Sequence, residues 1–313
     1  MKHTRHTIFA ALTAAVLLLV GVTGAEAKKP KPVEDFTADG LAYHVLRQAP
    51  DGEVELTAPS GEAPKYSGDI VVPDSVALGE NRYAVVAIGD AAFKGADELR
   101  SVRLGESIRI IGAYAFSGCD QLERVSLPRV MQAIRVGAFQ YCTSLDSVVL
   151  PETLRNVEFG LFMHCHALQT IVFPESLQQI GERAFAYCSE LRSLTLPAHL
   201  TTINNEAFYQ CPKLEEIVWP KSLARIGLRA FSNCIGLREL DLPNHLRILG
   251  ESAFEGCSGL KTVSLGSGLA EMGDAVFRNC YEMELLRIAP ECKKVMRRTQ
   301  FAGCLKLQIE VVE

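Results

Sequence analysis

Phenylalanine recurs at Phe93, Phe116, Phe139, Phe162, Phe185, Phe208, Phe231, Phe254 and Phe277, a fixed step of 23 residues, and Phe301 follows at a step of 24. The residues around it recur as well, as in the stretch Ile111–Pro128, IGAYAFSGCDQLERVSLP. A strict period in the range of about 20–50 residues is the mark of a solenoid, in which each repeat buries its apolar face against the next. It constrains function too. A residue that repeats serves stacking, so the residues that break the repeat are the ones that carry specificity.

Each unit contains Leu-x-x-(Val/Ile/Leu)-x-Leu-Pro or a close variant, as from Leu122 to Pro128, Leu145 to Pro151 and Leu191 to Pro197. Alternation along a strand sends successive side chains to opposite faces, so Val125 and Leu127 point inward and Arg124 and Ser126 outward. Proline ends the strand because it has no N–H for the ladder. The Ala-Phe-x-x-Cys-x-x-Leu part places apolar residues at helical spacing and predicts a short helix or 3-10 turn on the convex side. Nine units begin at Ile88, Ile111, Ile134, Val157, Ile180, Ile203, Ile226, Leu249 and Met272. Glycine follows the first residue in six of them (Gly89, Gly112, Gly181, Gly227, Gly250, Gly273), Asn204 in a seventh, and Arg135 and Glu158 depart from the pattern. Glycine and asparagine share tolerance of positive φ, which predicts a left-handed backbone there.

The 23-residue period and the unit Ile-Gly-x-x-Ala-Phe-x-x-Cys-x-x-Leu-x-x-Val-x-Leu-Pro resemble the BspA-like, or Treponema-type, leucine-rich repeats over about residues 70–310. The lead-in Phe36…Gly40-Leu-x-Tyr43 and Tyr66-x-Gly-Asp-Ile70 resembles the caps of such proteins. The resemblance implies a secreted or surface protein, with adhesion to host matrix proteins or other bacteria as a class tendency, and it transfers no catalytic residue. The expected fold is a leucine-rich-repeat solenoid, right-handed, with one short parallel strand per 23-residue turn on the concave face and a β-rich N-terminal cap.

The chain opens with Lys2 and Arg5, an apolar run from Ile8 to Val22, and Ala25-Glu-Ala27. A basic start, a short apolar core and a small-x-small site read as a secretory signal peptide over 1–27. The run is shorter than the ~20 residues a spanning helix needs. Residues 28–33, with Lys28-Lys-Pro-Lys-Pro32, read as a linker. An N-terminal cap is expected over 34–87, closing the open apolar end of the stack. Nine extra residues between Pro73 and Ile88, around Gly79-Glu-Asn-Arg-Tyr83, predict a hairpin within it. The nine repeats are expected over 88–288 and a C-terminal cap or partial repeat over 289–313. The whole chain has a net charge of −5; removing Lys2, Arg5 and Glu26 with the signal leaves −6. Mild acidity gives no support for a nucleic-acid partner, and the mature chain has no second apolar stretch long enough to span a bilayer.

Eight cysteines, Cys119, Cys142, Cys165, Cys188, Cys211, Cys234, Cys257 and Cys280, each follow a column phenylalanine by three residues. Ala96 fills the same slot in the first unit, which suits a small buried residue, so a ladder of free thiols is expected. Cys292 and Cys304 fall outside that ladder, and a bridge between them stays open. His164-x-His166 offers two metal-ligand side chains without a third at suitable spacing. No nucleophile-and-base arrangement shares one unit. The sequence therefore assigns no catalytic, cofactor or metal residue, and the protein reads as a non-enzymatic binder of another protein. An envelope scaffold or carbohydrate-binding role is the alternative.

Two surfaces emerge. The outward strand positions run from basic (Arg103, Arg124) through β-branched (Val149, Val172, Thr195, Val218) to acidic (Glu239, Asp241). Such a face suits an extended protein ligand, although β-branched residues also favour strands for packing reasons alone. The second is the divergent pair of units over 134–179. There Val136 and Phe159 replace residues that are polar or small in most units, and Tyr141, His164 and Tyr187 align in one column. Grouped aromatics are frequent interface anchors.

Overall fold

A computed structural model describes residues 35–61 and 65–312; the expected signal peptide (1–27) and linker (28–33) lie outside the described residues. Six strands precede the regular repeats. Strands β1 (Asp35–Ala38), β2 (Leu41–Arg47) and β3 (Gly52–Thr57) form an antiparallel meander. Strand β4 (Gly68–Val72) lies parallel to β7 (Leu99–Leu104), with Ile70 opposite Val102, so it is the first rung of the solenoid. Strands β5 (Ser75–Leu78) and β6 (Asn81–Ile88) form the antiparallel hairpin that the nine-residue insertion predicts. Tyr66 closes the stack. Its ring lies 4.8 Å from Phe93, and its hydroxyl donates to Thr57 O (2.7 Å) while accepting from Ala42 N (2.9 Å).

From Arg124 onward each rung carries one strand of three or four residues, paired in parallel with the rung 23 residues away. Val148 lies opposite Ile171, Leu194 opposite Ile217 and Leu240 opposite Val263. Inward Val148, Leu194 and Leu240 are buried, while Val149, Val172 and Val218 face solvent. The period-2 alternation decides this directly.

The structure departs from the sequence expectation in two ways and narrows it in a third. It has a second parallel ladder of two-residue strands at the start of each unit, including Gln179–Ile180, Thr202–Ile203 and Arg225–Ile226. Of the short helix or 3-10 turn expected on the convex side, the described repeats form only the turn, with i→i+3 bonds and no helix. Single turns (Cys119 N to Phe116 O, 3.2 Å; Leu122 N to Cys119 O, 3.0 Å) alternate with bonds to the next rung (Phe116 N to Ala138 O, 2.7 Å; Gly118 N to Gln140 O, 2.9 Å). Apolar spacing near three residues came from successive turns, and rung-to-rung bonding outcompeted a helix that would have kept every bond local. Among the described residues, 3-10 helices occur only at Pro290–Lys294 and Arg298–Phe301.

The second departure concerns the glycines. The left-handed residues lie three positions after the unit start (Tyr114, Gly137, Gly160, Arg183) and two after each phenylalanine (Gly95, Gly118, Tyr141, His164, Tyr187, Gln210, Asn233). The glycine that follows the unit start is not among them. It is required by close approach: a Cβ on Gly181 would stand 2.4 Å from Val157 O and 2.8 Å from the Glu158 carbonyl carbon. Here the missing side chain lets two rungs touch through their backbones, which is the other use of glycine.

The core is a column of ten phenylalanines. From Phe93 to Phe301 the rings stack at 4.7–5.9 Å with interplanar angles of 2–14°. Burying one such ring stabilises by about 1.5–3 kcal/mol, and each stacked pair adds about 0.5–1.5 kcal/mol. The cysteines support this column, and all ten are thiols. Cys142 Sγ donates to Phe116 O (3.1 Å) and Cys165 Sγ to Phe139 O (3.1 Å), so each carbonyl receives a second bond besides that from the cysteine N–H of its own rung. Burial pushes the Cys165 thiol up to about 12. Cys304 belongs to this ladder, with Sγ 3.0 Å from Phe277 O, and Cys292 bonds separately to Gly266 O at 3.2 Å. The Cys292–Cys304 bridge left open by the sequence is not formed. The 24-residue step had hidden the register of Cys304, because its extra residue is absorbed in the irregular segment before Phe301.

Candidate functional site

The outward strand positions form two columns: register is locked at 23 residues from Ser101 onward, and the hairpin insertion lengthens the first step to 32. One runs Val71, Arg103, Ser126, Val149, Val172, Thr195, Val218, Asp241; its neighbour runs Asp69, Ser101, Arg124, Ser147, Thr170, Ser193, Glu216, Glu239. Each predicted residue of this face is exposed: Val149 at 67%, Val172 at 55% and Val218 at 50%, with Arg103, Arg124, Thr195, Glu239 and Asp241 exposed as well. The structure thus brings the valines into one row that Thr195 interrupts. Val71 (54% exposed) extends the column beyond Arg103 onto β4, one position more than the outward face expected from the sequence.

A recess of about 610 Å³ opens on this face at its basic end, lined by Ser101, Arg103, Arg124, Ser126, Ser147 and Val149. Its rim carries the Arg129–Glu152 ion pair (2.6 Å). Arg124 reaches Glu123 at 3.4 Å, whereas Arg103 makes no ion pair among the described residues. The recess can therefore offer guanidinium donors beside apolar surface. At the other end Glu216, Glu239 and Asp241 supply carboxylates.

The second surface holds together only in part. Tyr141, His164 and Tyr187 stack face to face, at 4.6 Å (8°) and 4.2 Å (5°), and Tyr209 meets Tyr187 edge-on at 5.5 Å. All three stacked residues have left-handed backbones, with φ of 60°, 63° and 66°. Burial, and then the neighbouring His166, hold the His164 imidazole below the usual histidine range. His166 places Nδ1 3.1 Å from Tyr187 O and its ring edge-on to His164. Val136 (half-buried) and Phe159 (39% exposed) lie in a separate column, five residues earlier in their rungs. The sequence missed Tyr114, which is 37% exposed and has Lys94 Nζ 5.8 Å from its ring centre. Its left-handed φ of 57° gives no sign in a single sequence.

Among the described residues no three His, Cys, Asp or Glu side chains group as a metal site, and no helix is long and apolar enough to cross a membrane.

The sequence pattern described as the BspA type leucine rich repeat region, in 6 copies, matches residues 80–192 and 179–308. No curated protein sequence matches the chain. Among solved structures, the pneumococcal vaccine antigen PcpA is 19% identical, covering 90% of this chain and 94% of its own, with a TM-score of 0.52. The leucine-rich repeat protein of Treponema pallidum is 26% identical over 89% of this chain and 100% of its own, with a TM-score of 0.41. A leucine-rich cell surface protein of Faecalibacterium prausnitzii is 20% identical over 82% of this chain and 94% of its own, with a TM-score of 0.38. PcpA shares the fold. With the repeat pattern matching most of the chain, and the rungs and columns it encodes described above, the protein belongs to the BspA-type leucine-rich repeat family.

Proposed function

We propose that this is a secreted or cell-surface, non-enzymatic binding protein that holds an extended segment of another protein across its strand face, in adhesion to host matrix or to other bacterial surfaces. The observation that carries the reading is the row of solvent-facing valines. Val149, Val172 and Val218 are 50–67% exposed, although these positions need no apolar residue for folding. Exposed apolar rows rimmed by polar groups mark interaction surfaces. Arg103 and Arg124 at one end and Glu216, Glu239 and Asp241 at the other would set the ligand's direction, since charge complementarity contributes register and association rate more than affinity. The reading assigns no catalytic residue, metal or cofactor, and no nucleic acid.

The test is binding of the mature protein to immobilised matrix proteins and bacterial surface proteins by surface plasmon resonance. Val149→Lys with Val172→Lys should abolish the response, while the thermal midpoint shifts little because both side chains face solvent. Charge reversal at Arg225 and Glu271, exposed on the second ladder, should leave binding intact. Undiminished binding by the double lysine variant would remove the strand face from the site.

A further inference from the structure

The position two residues after each phenylalanine is left-handed in every rung described: Gly95, Gly118, Tyr141, His164, Tyr187, Gln210, Asn233, Gly256, Asn279 and Gly303. Most of the column uses residues that tolerate this backbone. Four successive rungs, from Tyr141 to Gln210, use other residues, and three of these place large rings there, where a left-handed conformation costs about 1–2 kcal/mol for a non-glycine residue.

The three rings do not use all their surface on one another. His164 covers one face of Tyr141. The rung on its other side carries Gly118, and a Cβ built there would meet nothing nearer than Gly95 Cα, at 3.9 Å, among the described residues. Tyr141 is 42% exposed. One rung further lie two charged side chains: a Cβ on Gly95 would stand 2.8 Å from Lys65 Nζ and 3.9 Å from Asp97 Oδ1. Lys65 Nζ donates to Gly95 O at 2.6 Å. The rungs are spaced 5.1 and 4.7 Å at Phe139, Phe116 and Phe93. The gap from the Tyr141 ring to the Gly95 level is therefore roughly 10 Å, two rung spacings of a sheet. That height admits one ring in contact above and below.

We propose that the slot above Gly118 binds a saccharide, with one pyranose ring continuing the Tyr141–His164–Tyr187 stack. The C–H face of the sugar would lie on the open face of Tyr141, and hydroxyls on its far side would meet Lys65 as donor and Asp97 as acceptor. A hydroxyl uses both kinds of partner. The Lys65 ammonium disfavours a cationic ligand in the same place. This site is separate from the strand face and does not depend on it.

The test is saturation-transfer NMR of the whole mature protein with methyl glucopyranoside, galactopyranoside and mannopyranoside, and with cellobiose. Transfer to the ring protons of at least one sugar is expected. Tyr141→Gly removes the platform and relaxes the backbone. Gly118→Asn fills the slot with a residue that Asn233 and Asn279 already place in this column. Each should weaken binding at least about tenfold, with circular dichroism unchanged. Tyr281→Ser, an exposed ring outside this column, should retain binding within about threefold. Absence of transfer from every sugar, or transfer that survives both Tyr141→Gly and Gly118→Asn, would overturn the proposal. Transfer from p-cresol alone would also overturn it, assigning the slot to an aromatic side chain of a protein.

Discussion

Phe185→Ala tests the element on which the whole fold rests. Phe185 is fully buried. It stacks on Phe162 at 5.4 Å and on Phe208 at 5.2 Å, and Phe173 meets its edge at 5.8 Å and 89°. Large-to-small changes of this type cost about 3–5 kcal/mol, the spread reflecting how far the site can collapse. Collapse is restricted here. Phe185 N donates to Ala207 O at 2.8 Å, and Phe185 O accepts from Cys188 N at 3.3 Å and from Cys211 Sγ at 3.2 Å. The backbone on both sides is thus pinned, and the cavity persists. Three ring contacts also disappear, each worth about 0.5–1.5 kcal/mol. We expect the upper part of the range, about 4–5 kcal/mol. Phe301→Ala provides the internal comparison: this ring is half-buried and has one stacking neighbour, Phe277, at 5.9 Å. It should lose only about 1–2 kcal/mol, roughly one partly buried ring. Urea unfolding followed by far-ultraviolet circular dichroism and by the single Trp219 reads both. A loss under about 1 kcal/mol at Phe185, or equal losses at the two positions, would refute the stacked-column account.

The glycine of close approach gives a second test. Gly181→Ala should lower stability by about 1–3 kcal/mol through overpacking, since the new Cβ meets the Val157 carbonyl oxygen at 2.4 Å; an unchanged thermal midpoint would refute the close-approach account. The thiols give another: a disulfide reagent at pH 8 should find Cys304, the half-buried member of the ladder, well before the others. The neighbouring Cys280 thiol holds the Cys304 pKa below the usual thiol range, while burial pushes Cys119 and Cys165 up to about 12. Denaturant without reductant should then release all ten, and release of far fewer would show that the ladder contains disulfides.

How much was legible follows from what a single rung repeats. Any contact between residues 23 apart appears in the sequence as a column, so the phenylalanine stack and most of the thiol ladder could be read directly. So could the outward positions Arg103, Arg124, Val149, Val172, Thr195, Val218, Glu239 and Asp241, because strand alternation converts sequence parity into a face. The hairpin of β5 and β6 was legible as an insertion between two positions of known register. The convex segment was legible only as a choice between a short helix and a 3-10 turn, because apolar residues three apart satisfy a helix and a chain of single turns equally well. That choice depends on the bonds that Phe116 N and Gly118 N make to the next rung.

The sequence by itself determined the period, the identity of the buried column and the two faces of each strand, since these depend only on which residues recur and on backbone alternation. Tertiary structure decided the rest: the second ladder, the close approach at Gly181, the place of Cys304, and the stacking of Tyr141, His164 and Tyr187. Glycine is the clearest case. The same residue type serves a left-handed backbone at Gly118 and a backbone contact at Gly181, and nothing in one sequence separates the two. Only the packing of one rung on the next reveals whether the missing side chain frees a dihedral angle, closes a gap or leaves one open.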